Sequence, residues 1–115
     1  MDPVSHFVAD LERLGLHPSV EAELVCYLVE PVDGARAGTR VATAVNVAEL
    51  GNWPLVPPHW LHFPSEVVLA RTNSQASSRA GWLMHSRQIA GWGRDLDPGS
   101  GWAAHVRGVL SEAVT

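Results

Sequence analysis

Twelve residues, Trp53 to Pro64 (WPLVPPHWLHFP), hold four prolines, two tryptophans, a phenylalanine and two histidines, a density of restraint that no other stretch of the chain matches. Each proline fixes φ at about −65° and pushes the residue before it toward extended backbone. Trp53, Val56, Pro57 and Phe63 are therefore expected outside any helix. The run reads as a rigid extended segment that feeds a short strand around His59 to Phe63.

The flanking sequence supplies what such a strand needs. Asp2 before Pro3 is a helix start, because the carboxylate can cap free N–H groups and proline at the first helical position sacrifices no hydrogen bond. Val4, Phe7, Val8, Leu11 and Leu14 follow at helical spacing, with Ser5, Asp10, Glu12 and Arg13 expected on the outer side. Gly15 and Pro18 end this helix. Leu24 to Val29 is a strand by β-propensity, Pro31 to Gly38 a turn centred on Asp33-Gly34, and Thr39 to Val47 a second strand of the same hairpin. Gly51-Asn52 then breaks the chain ahead of the proline-rich run. Further on, Thr72 to Arg79 is a polar, mobile loop, and residues 81–93 are compatible with a short helix or an irregular segment. Asp95 to Gly99 reads as a turn, with Ser100 capping a last helix whose buried stripe is Trp102, Val106, Val109, Leu110 and Ala113. The expected architecture is a single α+β domain over residues 1–115: an N-terminal helix, an antiparallel meander sheet of three to four strands, and a C-terminal helix.

Composition narrows the function classes. A net charge of −4, without a basic stripe, argues against nucleic acid as the partner. All eight basic residues are arginine, so Schiff-base chemistry and a phosphate-loop lysine are excluded. Cys26 stands alone, which rules out an internal disulfide and a multi-cysteine zinc site and suits a reducing compartment. No basic leader precedes an apolar run, and no apolar run approaches the roughly 18 residues of a membrane span. The expectation is a cytoplasmic protein that does not engage a membrane.

The order of elements, with Trp53-Pro54-Leu55-Val56-Pro57-Pro58 ahead of a strand and Gly101-Trp102 opening an apolar-periodic helix, resembles the ubiquitin-conjugating-enzyme (UBC) fold. That family has an amphipathic first helix, a four-stranded meander and an aromatic-Pro-x-x-Pro-Pro element before its third strand. The resemblance spans roughly Asp2 to Ala113 and is similar to small bacterial members, without the family's additional C-terminal helices. It implies thioester transfer on a cysteine beyond the double proline, supported by a His-Pro-Asn motif. Here no cysteine follows Pro58, and His62-Phe63-Pro64 is no substitute for that motif. Cys26, inside a strand, reads as a small buried hydrophobe.

Other chemistry is weakly encoded. His59 and His62, three apart on a strand, should diverge and not share a metal ion. Ser100 lacks a nucleophile-elbow frame, and Asp95 with Asp97 lacks the further oxygens that calcium requires. Neither a metal nor a cofactor is expected. The reading favoured by the sequence is a non-catalytic UBC-like module that binds a protein, with a ubiquitin-like modifier or a conjugation-system component as the candidate partner. Its surface would use Trp53, Pro57, Trp82, His85, Arg87 and Trp92. The alternative is a small enzyme in which His85 does acid/base work, Arg87 binds an anionic substrate and His59 or His62 assists. A sheet other than a simple meander would point to a different small α+β domain.

Overall fold

The computed structural model describes residues 1–93 and 97–115. It is α+β: helix α1 (Pro3–Arg13), strands β1 (Ser19–Glu21), β2 (Leu24–Val29), β3 (Val41–Asn46), β4 (Trp60–Pro64), β5 (Ser74–Ala76) and β6 (Trp82–Ser86), and helix α2 (Pro98–Leu110). A 3-10 turn at Val47–Leu50 follows β3. All pairings are antiparallel in the order β1-β2-β3-β4-β6-β5. Among the described residues no helix is long and apolar enough to cross a membrane.

Helix α1 forms where its cap and period predict, and α2 where its period does. The Asp2 carboxylate accepts the Ser5 N–H at 2.9 Å, with Pro3 in the first turn. Phe7 and Leu11 of α1 and Trp102, Val106, Val109 and Leu110 of α2 are all buried. They merge with Val25, Tyr27 and Val29 of β2, Val41 and Val45 of β3, and Leu61 and Phe63 of β4 into one core. Because register partners share a face, both helices lie on the same side of the sheet. At its centre the Trp102 indole N–H donates to the Tyr27 hydroxyl at 2.8 Å, so the largest buried side chain leaves no polar group unpaired.

Several expectations are corrected. Among the described residues the sheet has six strands, not three to four, and it is not a simple meander, because β6 inserts between β4 and β5. The four longer strands β2, β3, β4 and β6 do lie side by side in chain order; β1 and β5 add three-residue edges. Edge strand β1 turns into β2 through Ala22, which adopts φ 55° without a glycine or asparagine to announce it. The polar stretch Thr72 to Arg79 contains β5, whose three exposed residues are ordered by pairing with β6 and carry no apolar signal. Residues 81–93, left open between helix and irregular chain, contain β6. Asp10 points inward, 4 % exposed, because the Trp53 indole N–H donates to it at 3.0 Å. The cap of α2 is Asp97, which accepts the Ser100 N–H at 3.0 Å; Ser100 itself lies inside the helix. Asp95, in the expected turn, lies outside the described residues.

Two glycines record close approaches. A Cβ on Gly99 would stand 2.9 Å from the Asp10 Cβ, so the crossing of α2 over α1 depends on its absence. Gly34, at φ +84°, lies so near the Ser111 carbonyl that the β2–β3 turn rests directly on the end of α2.

Candidate binding site

The proline-rich run does not lie on the surface throughout. It enters the core with Trp53, which is 4 % exposed and packs edge-on against Phe7 at 4.8 Å between ring centroids. It then returns outward, and Leu55 and Val56 are 83 % and 52 % exposed. Two side chains fix its exit: the Glu49 carboxylate accepts the His59 N–H at 2.9 Å, and the His59 ring shares a hydrogen bond with the Ser86 hydroxyl. The Arg87 N–H donates to the His59 carbonyl at 3.1 Å, so the run is tied to the end of β6.

Beyond β6 the chain places Trp92 over Trp53, 5.4 Å between centroids, and the Trp92 indole N–H donates to the Pro54 carbonyl at 2.9 Å. A groove of about 360 Å³ lies between the two segments, with Val56, Pro57, Pro58 and His59 on one wall and Arg87, Gln88, Ile89 and Trp92 on the other. A rigid wall, half-buried aromatic and aliphatic side chains and a few polar groups are the composition of an anchor site for a partner's apolar side chain. The adjoining exposure of Leu55 and Val56 extends the apolar surface past the groove.

The six residues proposed for partner binding are thus distributed over four places. Pro57, Arg87 and Trp92 come together at the groove. Trp53 lies beneath it as a support. Trp82 is on the helix-free face of the sheet, half-buried against Leu24, Cys26 and Ala44, with the Arg79 guanidinium 4.6 Å above its ring. His85 is on the helix-covered face, 2 % exposed, with Nδ1 2.8 Å from the Thr72 hydroxyl and Nε2 buried without a partner.

Of the residues of the enzyme alternative, His59 and Arg87 meet at the groove, but His85 and His62 do not join them. Burial lowers the His85 pKa, which keeps the ring neutral, and His85 lines neither the groove nor the larger depression beside it. His62, also 2 % exposed, is bonded through Nδ1 to the Ser77 hydroxyl at 2.8 Å, and its pKa is lowered by burial and then by His85. Arg87 is held by Glu112 through two bonds of 3.0 and 2.9 Å. Cys26 is buried, its thiol pushed up by burial and by Glu21, which disfavours the thiolate that nucleophilic chemistry requires. Among the described residues no three His, Cys, Asp or Glu side chains are gathered so as to hold a metal ion.

Sequence reasoning missed Leu55, Val56, Ile89, Arg71 and Glu112. For Leu55 and Val56 a signal existed: two apolar residues trapped between prolines have little freedom to fold inward. The Arg87–Glu112 pair joins β6's exit to the end of α2 and has no local signature. Comparison of the chain with protein-family models, with curated proteins and with solved structures finds no match.

Proposed function

We propose that this chain is a non-catalytic, UBC-like module that binds a protein, and that the partner is a ubiquitin-like modifier or a component of a conjugation system. The observation that carries the binding reading is the groove, where a proline-stiffened wall with exposed Val56 faces Trp92 and Ile89 and the next residue, Leu55, is also exposed. A preformed wall orders little on docking, so most of the contact energy is retained as affinity. The UBC-like part of the reading is supported by the first helix, by the chain order of the four longer strands and by the proline element ahead of β4. The sheet departs from that plan: β6 lies between β4 and the edge strand β5, so it is not the simple meander of the family, and β1 adds a further short edge. The non-catalytic part rests on Cys26, which is the chain's single cysteine and is buried.

A photo-crosslinking side chain installed in place of Val56, in living cells, tests the surface. The expected result is one dominant crosslinked protein of ubiquitin-like type, absent when the same group replaces Trp82 on the other face of the sheet. Crosslinks of equal pattern from both positions, or none from position 56, would sink the docking reading. Capture of a protein unrelated to ubiquitin-like conjugation would retain the groove and discard the UBC-like assignment. Incubation with a ubiquitin-like protein and its activating enzyme should leave Cys26 free of thioester.

A further inference from the structure

The groove does not end at Arg87. The same residue borders a second, larger depression of about 720 Å³, lined by Ala70, Arg71, Arg87, Glu112 and Val114. Here the Arg87 guanidinium is fixed by the Glu112 carboxylate, which leaves part of its fork of donors free. Arg71 is exposed and makes no ion pair among the described residues, yet its charge reaches Glu112. Two arginines against one glutamate leave one net positive charge, in a chain whose overall charge is −4. Beyond them Val68 and Val114, 44 % and 58 % exposed, are joined by a bond of 2.9 Å from the Val114 N–H to the Val68 carbonyl. The surface thus runs from an apolar groove, across a cationic step, to an apolar lip.

We propose that Arg71 and Arg87 form a carboxylate-reading subsite continuous with the groove, and that the segment bound there is an extended peptide carrying one aspartate or glutamate between apolar residues. This rests on the protein-docking reading and specifies its chemistry. One net positive charge matches one carboxylate, and guanidinium forks donate to carboxylates in two-point geometry. Glu112 holds Arg87 in place before binding and repels a second acidic group, so strongly acidic peptides are disfavoured along with basic ones. A small inorganic anion would use the arginines but leave the Val56–Trp92 groove and the Val68–Val114 lip without a role.

The test is selection from a displayed library of random decapeptides by the whole chain, as wild type, Arg71→Gln and Val56→Asp. Both substituted positions are exposed, and circular dichroism confirms that the variants fold. Wild type should enrich peptides with a single acidic residue flanked by apolar ones. Arg71→Gln should erase the acidic preference and weaken the best selected peptide by about fivefold in fluorescence polarisation, the size expected of an exposed ion pair. Val56→Asp should weaken it further. Peptides selected without acidic preference, or a preference that survives Arg71→Gln, overturn the carboxylate subsite while leaving the groove as a docking surface. No enrichment at all also overturns it, and the crosslink from position 56 then decides separately whether a folded partner docks. Inorganic phosphate that displaces the peptide completely and binds Val56→Asp as well as wild type identifies a small-anion site and overturns the proposal.

Discussion

The two faces of the sheet are held by different means. On one, α1 and α2 lay Phe7, Leu11, Trp102 and Val106 over β2, β3 and β4, and these side chains are fully buried. On the other, no helix among the described residues lies over the strands. Leu24, Cys26, Ala44 and His62 are buried there mostly by single side chains from the 77–82 turn: Trp82, the Arg79 guanidinium above it, and Ser77 bonded to His62. Helix cover distributes burial over many contacts made together, whereas side-chain cover can be removed one residue at a time. The helix-free face thus stays half-wet, with Trp82 and Met84 only half-buried, and the two shelters differ in strength.

That difference can be broken by matched substitutions. Trp102→Ala should cost about 3–5 kcal/mol in urea denaturation, as for large aromatic truncations in cores. Trp82→Ala should cost about 1 kcal/mol, the ordinary size of a partly exposed change. Equal losses would mean that the helix-free face is as well protected as the other.

Acid is the next largest probe, and it acts mostly on the covered side. His105, on α2 beside Trp102, has its pKa lowered to about 4 by burial and by Arg87, from an ordinary value of 6.5. His85 and His62 are lowered too. In this range the unfolded chain binds protons that the folded chain refuses, so each histidine's contribution is complete above pH 6.5 and is lost as pH falls toward its folded value. The unfolding free energy should fall as the pH drops from 6.5 to about 4, with His105 contributing at most about 1.4 kcal/mol per pH unit. His105→Gln, which stays neutral, should flatten that slope. A stability flat across the window would show these rings to be solvated.

Two glycines of α2 sharpen the contrast within the covered layer. Gly99→Ala should cost about 1–3 kcal/mol by forcing α2 off Asp10. Gly108→Ala, with nothing within 4 Å of the new methyl, should gain about 0.5–1 kcal/mol. Thermal melting of the pair reads both signs. The smallest effect is expected for Arg79→Ala, about 0.5–1 kcal/mol for an exposed cation over an indole.

Local patterns made much of this legible. The stripe of α2 and the span of β2 follow from periodicity and from flanking prolines, and Asp2 caps α1 as its position requires. What stayed hidden depends on distant pairing. Strand β5 is three exposed residues that become a strand because the outer edge of β6 is free. Asp10 looks like an outward charge until Trp53 arrives from 43 positions away. The candidate site divides the same way. Pro57, Arg87 and Trp92 were nameable because they sit in or near glycine- and proline-bounded segments. The faces taken by Trp82 and His85 are set by the register of β6 on β4, which places His62 opposite Met84 and Leu61 opposite His85. A one-residue slip would exchange them.

The position of α2 after every strand also has a consequence for synthesis. A ribosome completes the whole sheet before it makes the helix whose Trp102 and Val106 cover it. From the end of β6 to the end of α2 elongation takes about 1–5 s. For that interval the nascent chain presents a sheet covered by α1 but not yet by α2, and the apolar surface left open is one that a ribosome-associated chaperone would bind until α2 arrives.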